Sequence, residues 1–230
     1  MQNRTVYIGV SSLTPHPNDP ITTTERSDFM IPWEEENLRY SETIQTICGV
    51  DEAGRGPLAG PVCAAAVILP RDCVIEGLDD SKKLSEKRRD TLYDIIIEQA
   101  QAYSIAMVDE KTIDEINILQ ATYVAMGDAV KGLKITPDLA LVDGNRDPKL
   151  DILTETMVKG DGRSLNIAAA SVLAKVTRDR YMVKLAEQYP EYGFEVHKGY
   201  GTKRHYAALD EHGDCSAHRQ SFLKKYHAKG

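Results

Sequence analysis

A chain of 230 residues, 42% hydrophobic and 27% charged, carries enough apolar surface to bury a core without disulfide or metal staples. Its formal net charge of -7 argues against a general electrostatic grip on nucleic acid. No apolar run reaches the roughly 18 residues needed to span a membrane, the N-terminus lacks the pattern of a secretory signal, and the four cysteines have no C-x-x-C spacing, so a reducing, cytoplasmic compartment is expected.

The charge is uneven. Residues 160–230 hold 12 Lys and Arg against 8 Asp and Glu, and five of the six histidines, while the rest of the chain is acidic. An acidic body beside a basic end suits a metal site next to a phosphate-binding surface; it is equally compatible with chance.

In chain order, residues 1–43 are rich in Thr, Ser, Pro, Asn and Glu with little periodicity, and are expected to be a flexible extension. The folded domain is placed at 44–230, with a helical part from about 177. Residues 45–51 and 61–69 predict two apolar strands, an antiparallel pair, flanking a glycine loop. Ser85 predicts the cap of a helix with an apolar face of Leu92, Ile95, Ile96 and Ala100. A strand is expected at 103–108. Thr112 and Glu115 match a capping box opening a helix with the stripe Ile116, Leu119, Tyr123, Met126 and Val130. Strands are expected at 139–142 and 154–159. An Ala-rich buried helix from Ser164 to Val176, a second helical stretch to Gln188, a loop at 192–202 and a last helix at 203–212 complete the pattern. Strands alternating with helices predict an α/β fold with a mixed sheet.

Three acidic positions stand out. Asp51-Glu52 and Asp143 follow apolar strands, and ligands gather outside the carboxyl ends of strands in open α/β sheets. Asp161 lies between Gly160 and Gly162 before the buried helix. Each has a bland reading as a turn or helix-capping residue. Adjacent acids at 51 and 52 are harder to dismiss, because in a strand one of them must face inward. If the acids converge, their repulsion demands cations, and hard oxygen ligands select Mg²⁺ or Mn²⁺. The loop that follows, Gly54-Arg55-Gly56, offers close backbone approach and one guanidinium to a phosphate.

The segment Asp-Glu-Ala-Gly-Arg-Gly-Pro at 51–57 resembles the signature of bacterial type 2 ribonuclease H, ribonuclease HII. The resemblance continues in Asp80-Ser-Lys-Lys-Leu84, Val142-Asp-Gly-Asn145, Lys159-Gly-Asp161, the run from Ala169 to Asp179, and His197-Lys-Gly-Tyr200. It covers roughly 45–223 in the family's order, with small departures at Gly201, Arg204 and Gln220. It implies a ribonuclease H-like mixed sheet flanked by helices, with a C-terminal helical subdomain. It also implies four catalytic and metal-holding acids, Asp51, Glu52, Asp143 and Asp161, around one or two Mg²⁺ or Mn²⁺ ions, about 3.5–4 Å apart when both are bound. The implied activity is endonucleolytic. The RNA strand of RNA–DNA hybrids is cut, and duplex DNA holding a single ribonucleotide is incised on its 5′ side, leaving 5′-phosphate and 3′-hydroxyl ends. On the same ground Gly54, Arg55 and Gly56 would read the ribose 2′-hydroxyl, which alone tells RNA from DNA at one sugar. Tyr200 would pack against the neighbouring sugar, and Lys82 and Lys175 would contact phosphate. The partners implied are hybrid and ribonucleotide-containing duplex, with no membrane and a monomeric enzyme. The rival reading is a nuclease-dead hybrid-binding module, which four intact acids argue against, since an idle acid cluster only weakens phosphate binding.

Overall fold

Small and β-branched residues with no charge among them, such as Val62–Ile68, can be buried on both faces of a sheet, and here they are. The computed structural model describes residues 34–78 and 84–228. Its five strands are β1 (Ile47–Ala53), β2 (Val62–Ile68), β3 (Ala102–Val108), β4 (Leu139–Asp143) and β5 (Thr154–Met157), in the order β3-β2-β1-β4-β5. β1, β2 and β3 form an antiparallel meander, while β4 and β5 run parallel to β1. The expected mixed sheet and antiparallel β1–β2 pair are therefore present. β1 runs two residues further than expected, so Glu52 as well as Asp51 lies inside the strand.

Helices cover both faces. α2 (Glu86–Gln99), capped by Ser85 as expected, and α4 (Leu165–Gln188) pack on one face around Leu92, Ile96, Leu165 and Leu173. α3 (Glu110–Lys131) packs on the other, around Ile113, Ala121, Ala125 and Met126. Gly49 explains how closely β1 and α4 approach. A Cβ there would lie 2.1 Å from the backbone of Asn166 and Ile167, so only glycine lets strand and helix meet backbone to backbone.

Two helix expectations are corrected. α3 starts earlier than the Thr112–Glu115 box, because Asp109 caps it by accepting from the Thr112 N–H. It is then interrupted at Asn117, whose φ of 67° is left-handed and whose Oδ1 accepts from the N–H groups of Leu119 and Gln120. That second cap resets the helical phase. Of the expected stripe only Met126 and Val130 are fully buried, with Ile113, Ala121, Ala125 and Ala129 taking the other places. The two helical stretches expected at 164–188 are one continuous 24-residue helix, α4, whose cap is Ser164.

The C-terminal part adds α5 (Phe194–His197), α6 (Lys203–His212) and α7 (Gln220–His227), the first within an expected loop and the last unforeseen. These close around Leu58, Met182, Phe194, Leu209 and Leu223. The N-terminal stretch also differs from the expected extension in its last ten residues. α1 (Glu34–Asn37) carries Glu36, 6% exposed, against the start of α4. Its Oε1 accepts from Asn166 Nδ2 at 2.7 Å, and its Oε2 accepts from the Asn166 N–H at 3.2 Å and from the Ser164 hydroxyl. Arg39 bonds to Glu155, and Glu35 to Arg163. No helix of the described residues is long and apolar enough to cross a membrane.

Candidate active site

Strand register places the first acids. Val50 pairs with Val142 across the parallel β1–β4 ladder, so Asp51 and Asp143, each one residue further on, emerge side by side at the carboxyl ends of the two central strands. Alternation turns Asp51 inward, where it is 3% exposed, and Glu52 to the opposite, partly exposed face. Asp51 Oδ1 accepts from the Glu52 N–H at 2.7 Å. Asp143 Oδ1 accepts from the Gly160 N–H at 2.7 Å, which ties β4 to the short 3₁₀ turn Gly160–Gly162, within which Asp161 is buried.

The electrostatics are unfavourable by design of the sequence. Burial holds the Asp51 carboxyl well above the ordinary carboxylate range, and the neighbouring charges of Glu52 and Asp143 push it the same way. A hydrogen bond from Ser171 on α4 and the Glu52 N–H oppose that shift. Among the described residues no three acid, imidazole or thiol groups already form a finished metal cage. Asp51, Glu52 and Asp143 are nonetheless all carboxylates, with Glu52 and Asp143 both repelling Asp51, a donor chemistry that fits a hard divalent cation.

Two clefts open beside the acids. The first, about 390 Å³, is lined by Glu52, Gly54, Arg55, Gly56, Lys175 and Tyr200, and also by Arg89 and Ser171. The second, about 360 Å³, is bordered by Asp143, Asn145, Arg146 and Tyr123. Glu52 and Arg55 line both, and their 3.3 Å ion pair stands on the divide. A larger cavity of about 610 Å³ between α3 and residues 148–152 contains none of the four acids.

The sequence-expected substrate residues are thus gathered in one place, with one outside view: Lys82 lies outside the described residues. Tyr200 is 44% exposed, with its ring edge 3.6 Å from where a Cβ of Gly56 would stand. Lys175 reaches the cleft while bonded to Asp179 at 2.8 Å. Sequence reasoning missed Ser171, Arg89 and Arg146. Ser171 lies within the matched run from Ala169 to Asp179, but nothing in its spacing to Asp51, 120 residues away in sequence, says that the two meet. Arg89 is one of several charged residues on α2, and only packing separates it from the rest.

Residues 48–227 match the family model described as Ribonuclease HII. A protein named ribonuclease HII from Caldicellulosiruptor saccharolyticus is 55% identical over 190 residues, 83% of this chain and 92% of the relative. One named ribonuclease HII 1 from Methylibium petroleiphilum is 59% identical over 179 residues, 78% of this chain and 90% of the relative. The crystal structure of ribonuclease H2 from Pyrococcus horikoshii superposes with a TM-score of 0.68 at 26% identity, covering 81% of this chain and all of that one. Fold and relatives together define the class, a ribonuclease H-type endonuclease that hydrolyses the RNA of RNA–DNA hybrids with the help of divalent metal. Within that class, the chain belongs to the ribonuclease HII family.

Proposed function

We propose that Asp51, Glu52, Asp143 and Asp161 hold one or two Mg²⁺ or Mn²⁺ ions, and that the cleft beside them recognises a single ribonucleotide in duplex DNA. The observation that carries this reading is the shared wall. Glu52 lines the same cleft as Gly54, Arg55, Gly56 and Tyr200, so a sugar read by the loop lies next to the acids that cut. Divalent ions bound there supply charge neutralisation at the scissile phosphate and activation of the attacking water.

The chain's own residues do the rest. Asp51 and Asp143 hold the site's negative charge at the strand ends. Ser171 fixes the Asp51 carboxylate by donating to it. Arg55, paired with Glu52 in the free protein, is placed to exchange that partner for a phosphate. Gly54-Arg55-Gly56 presents its backbone to the ribose 2′-hydroxyl, and Tyr200 packs on the adjoining sugar. Lys175, with Lys82, contacts phosphate. Incision falls 5′ of the ribonucleotide and leaves 5′-phosphate and 3′-hydroxyl ends. This fits a cytoplasmic, monomeric enzyme that removes ribonucleotides left in DNA by replication.

A labelled duplex with one ribonucleotide, run beside one with four or more, tests the reading. Cutting of both at the expected phosphate supports it, and cutting of only the longer run would overturn it.

A further inference from the structure

Two arginines are buried where no carboxylate bonds them. Arg178, on α4, is 1% exposed and Arg219, at the N-terminal edge of α7, is 0% exposed. Burying a guanidinium costs several kcal/mol unless its donors are satisfied, and here backbone carbonyls satisfy them. Arg219 donates to Gly54 O at 2.7 Å, Pro57 O at 2.9 Å, Arg55 O at 3.1 Å and Gly60 O at 2.8 Å. Arg178 donates to Pro61 O at 2.9 Å, Ala59 O at 3.2 Å and Lys198 O at 3.1 Å. Burial, and then Arg178, pulls Arg219 down to about 9, so it remains a cation at neutral pH.

Six carbonyls of the loop from Gly54 to Pro61 are therefore drawn inward onto two cations. A trans peptide points its N–H opposite to its C=O. With Gly54 O and Arg55 O turned in, the N–H groups of Arg55 and Gly56 are turned out, toward the cleft that Tyr200 lines. Further along, the N–H of Leu58 bonds to Gly199 O and that of Gly60 to Ala217 O. The outward N–H groups at 55 and 56 have no such acceptor among the described residues. Gly54 is needed for this arrangement, since its φ is +94° and a Cβ would lie 2.0 Å from Arg178 Nε.

We infer that Arg178 and Arg219 are positioning residues for ribonucleotide recognition: they invert the polarity of the Gly54–Pro61 loop so that its amides at 55 and 56 face a ribose and its phosphate. The inference rests on the reading of the loop given under Proposed function. A merely structural role would not need two planar five-donor groups, because apolar side chains fill a loop's underside at lower cost. A lysine has three donors on a compact head and cannot span four carbonyls.

The test compares wild type, Arg219→Lys and Arg178→Lys on two duplexes, one with a single ribonucleotide and one with a run of at least four. Mn²⁺ affinity and melting temperature are measured alongside. Both variants should raise KM on the single ribonucleotide by roughly tenfold, the loss of one interaction of about 1.4 kcal/mol. Their kcat on the long run and their Mn²⁺ affinity should stay near wild type. A lowered melting temperature with an unchanged ratio between the two substrates would overturn the inference. Amide hydrogen exchange on wild type gives a second readout that needs no variant. The N–H groups of Arg55 and Gly56 should exchange fast in the free enzyme and slow when the ribonucleotide duplex is added with Ca²⁺ to prevent cutting. Amides already protected in the free enzyme would overturn the inference even where both variants fail to fold. Failure of wild type to cut the single ribonucleotide would sink the underlying reading, and the inference with it.

Discussion

Asp51 is buried, and the charges of Glu52 and Asp143 add to burial in pushing its proton affinity up. On the proposed reading, neutralising it or Asp143 relieves repulsion while removing a cation ligand. Asp51→Asn and Asp143→Asn should therefore abolish cutting and leave hybrid binding intact or tighter, read by gel assay and filter binding; wild-type cutting in either would refute the metal assignment. The glycines of the loop separate in the same way. A side chain at Gly54 meets Arg178 at 2.0 Å with φ at +94°, whereas one at Gly56 meets only Tyr200 at 3.6 Å. Gly54→Ala should cost about 1–3 kcal/mol of stability. Gly56→Ala should melt within about 0.5 kcal/mol of wild type yet lose affinity for a single ribonucleotide, because its methyl stands where the sugar approaches. Equal melting losses in both would show that Gly56 is needed only for folding.

At the scale of elements, local signals were readable and phase was not. Ser85 announces its helix as a cap and Ser164 marks the start of α4, where each hydroxyl accepts from an N–H of the first turn. Asn117 hid the true face of α3, since a left-handed residue in the middle of a helical pattern leaves no mark in spacing. The four acids proposed for the site stood out as a set only through the resemblance, and three of them, Asp51, Glu52 and Asp143, also through their place at or after apolar runs. Arg178 and Arg219 were not, because burial of a charge depends on carbonyls that the fold collects from elsewhere. Glu36 was missed for a related reason: its ligands, Ser164 and Asn166, are about 130 residues away. Truncating it strands an O–H and two N–H donors at the head of α4, so Glu36→Ala should cost roughly 1–3 kcal/mol. Trimming the chain through residue 40 should lower the melting temperature relative to trimming through residue 33; equal melting would show that α1 contributes nothing.

At the scale of the whole molecule, three buried histidines tie the C-terminal helices and their loops to one another. His205 Nδ1 donates to Tyr200 O, so its Nε2 accepts from His218 Nε2 at 2.9 Å, and His218 Nδ1 in turn accepts from the Cys215 N–H. His197 Nδ1 accepts from the Gly199 N–H and its Nε2 donates to Tyr192 O. This order works only with all three rings neutral. Burial lowers each of them, His205 to about 4. In the unfolded chain a histidine takes a proton near pH 6.5. Stability from these groups is thus complete above about pH 6.5 and declines as the pH falls toward about 4, where the unfolded chain binds more protons. Asp51, whose proton affinity is raised, acts in the opposite direction. The comparison is therefore between wild type and His205→Asn, whose melting temperature should fall less steeply from pH 7 to pH 5. Parallel slopes would show that His205 does not carry the effect.

Helix α4 touches both halves of the chemistry. Ser171 holds Asp51, Lys175 faces the cleft, Arg178 grips the loop and Met182 lies beneath Gly60. Seven residues of helix separate the group that fixes the acid from the group that fixes the reader, about 10 Å along one rigid rod. On the proposed reading, the offset between the inspected sugar and the broken phosphate is a length, ruled off by this helix and insensitive to the bases on either side. One residue inserted between 171 and 178 would turn the far half by about 100°. Such an enzyme would not cut one nucleotide further along; it would lose its measuring stick.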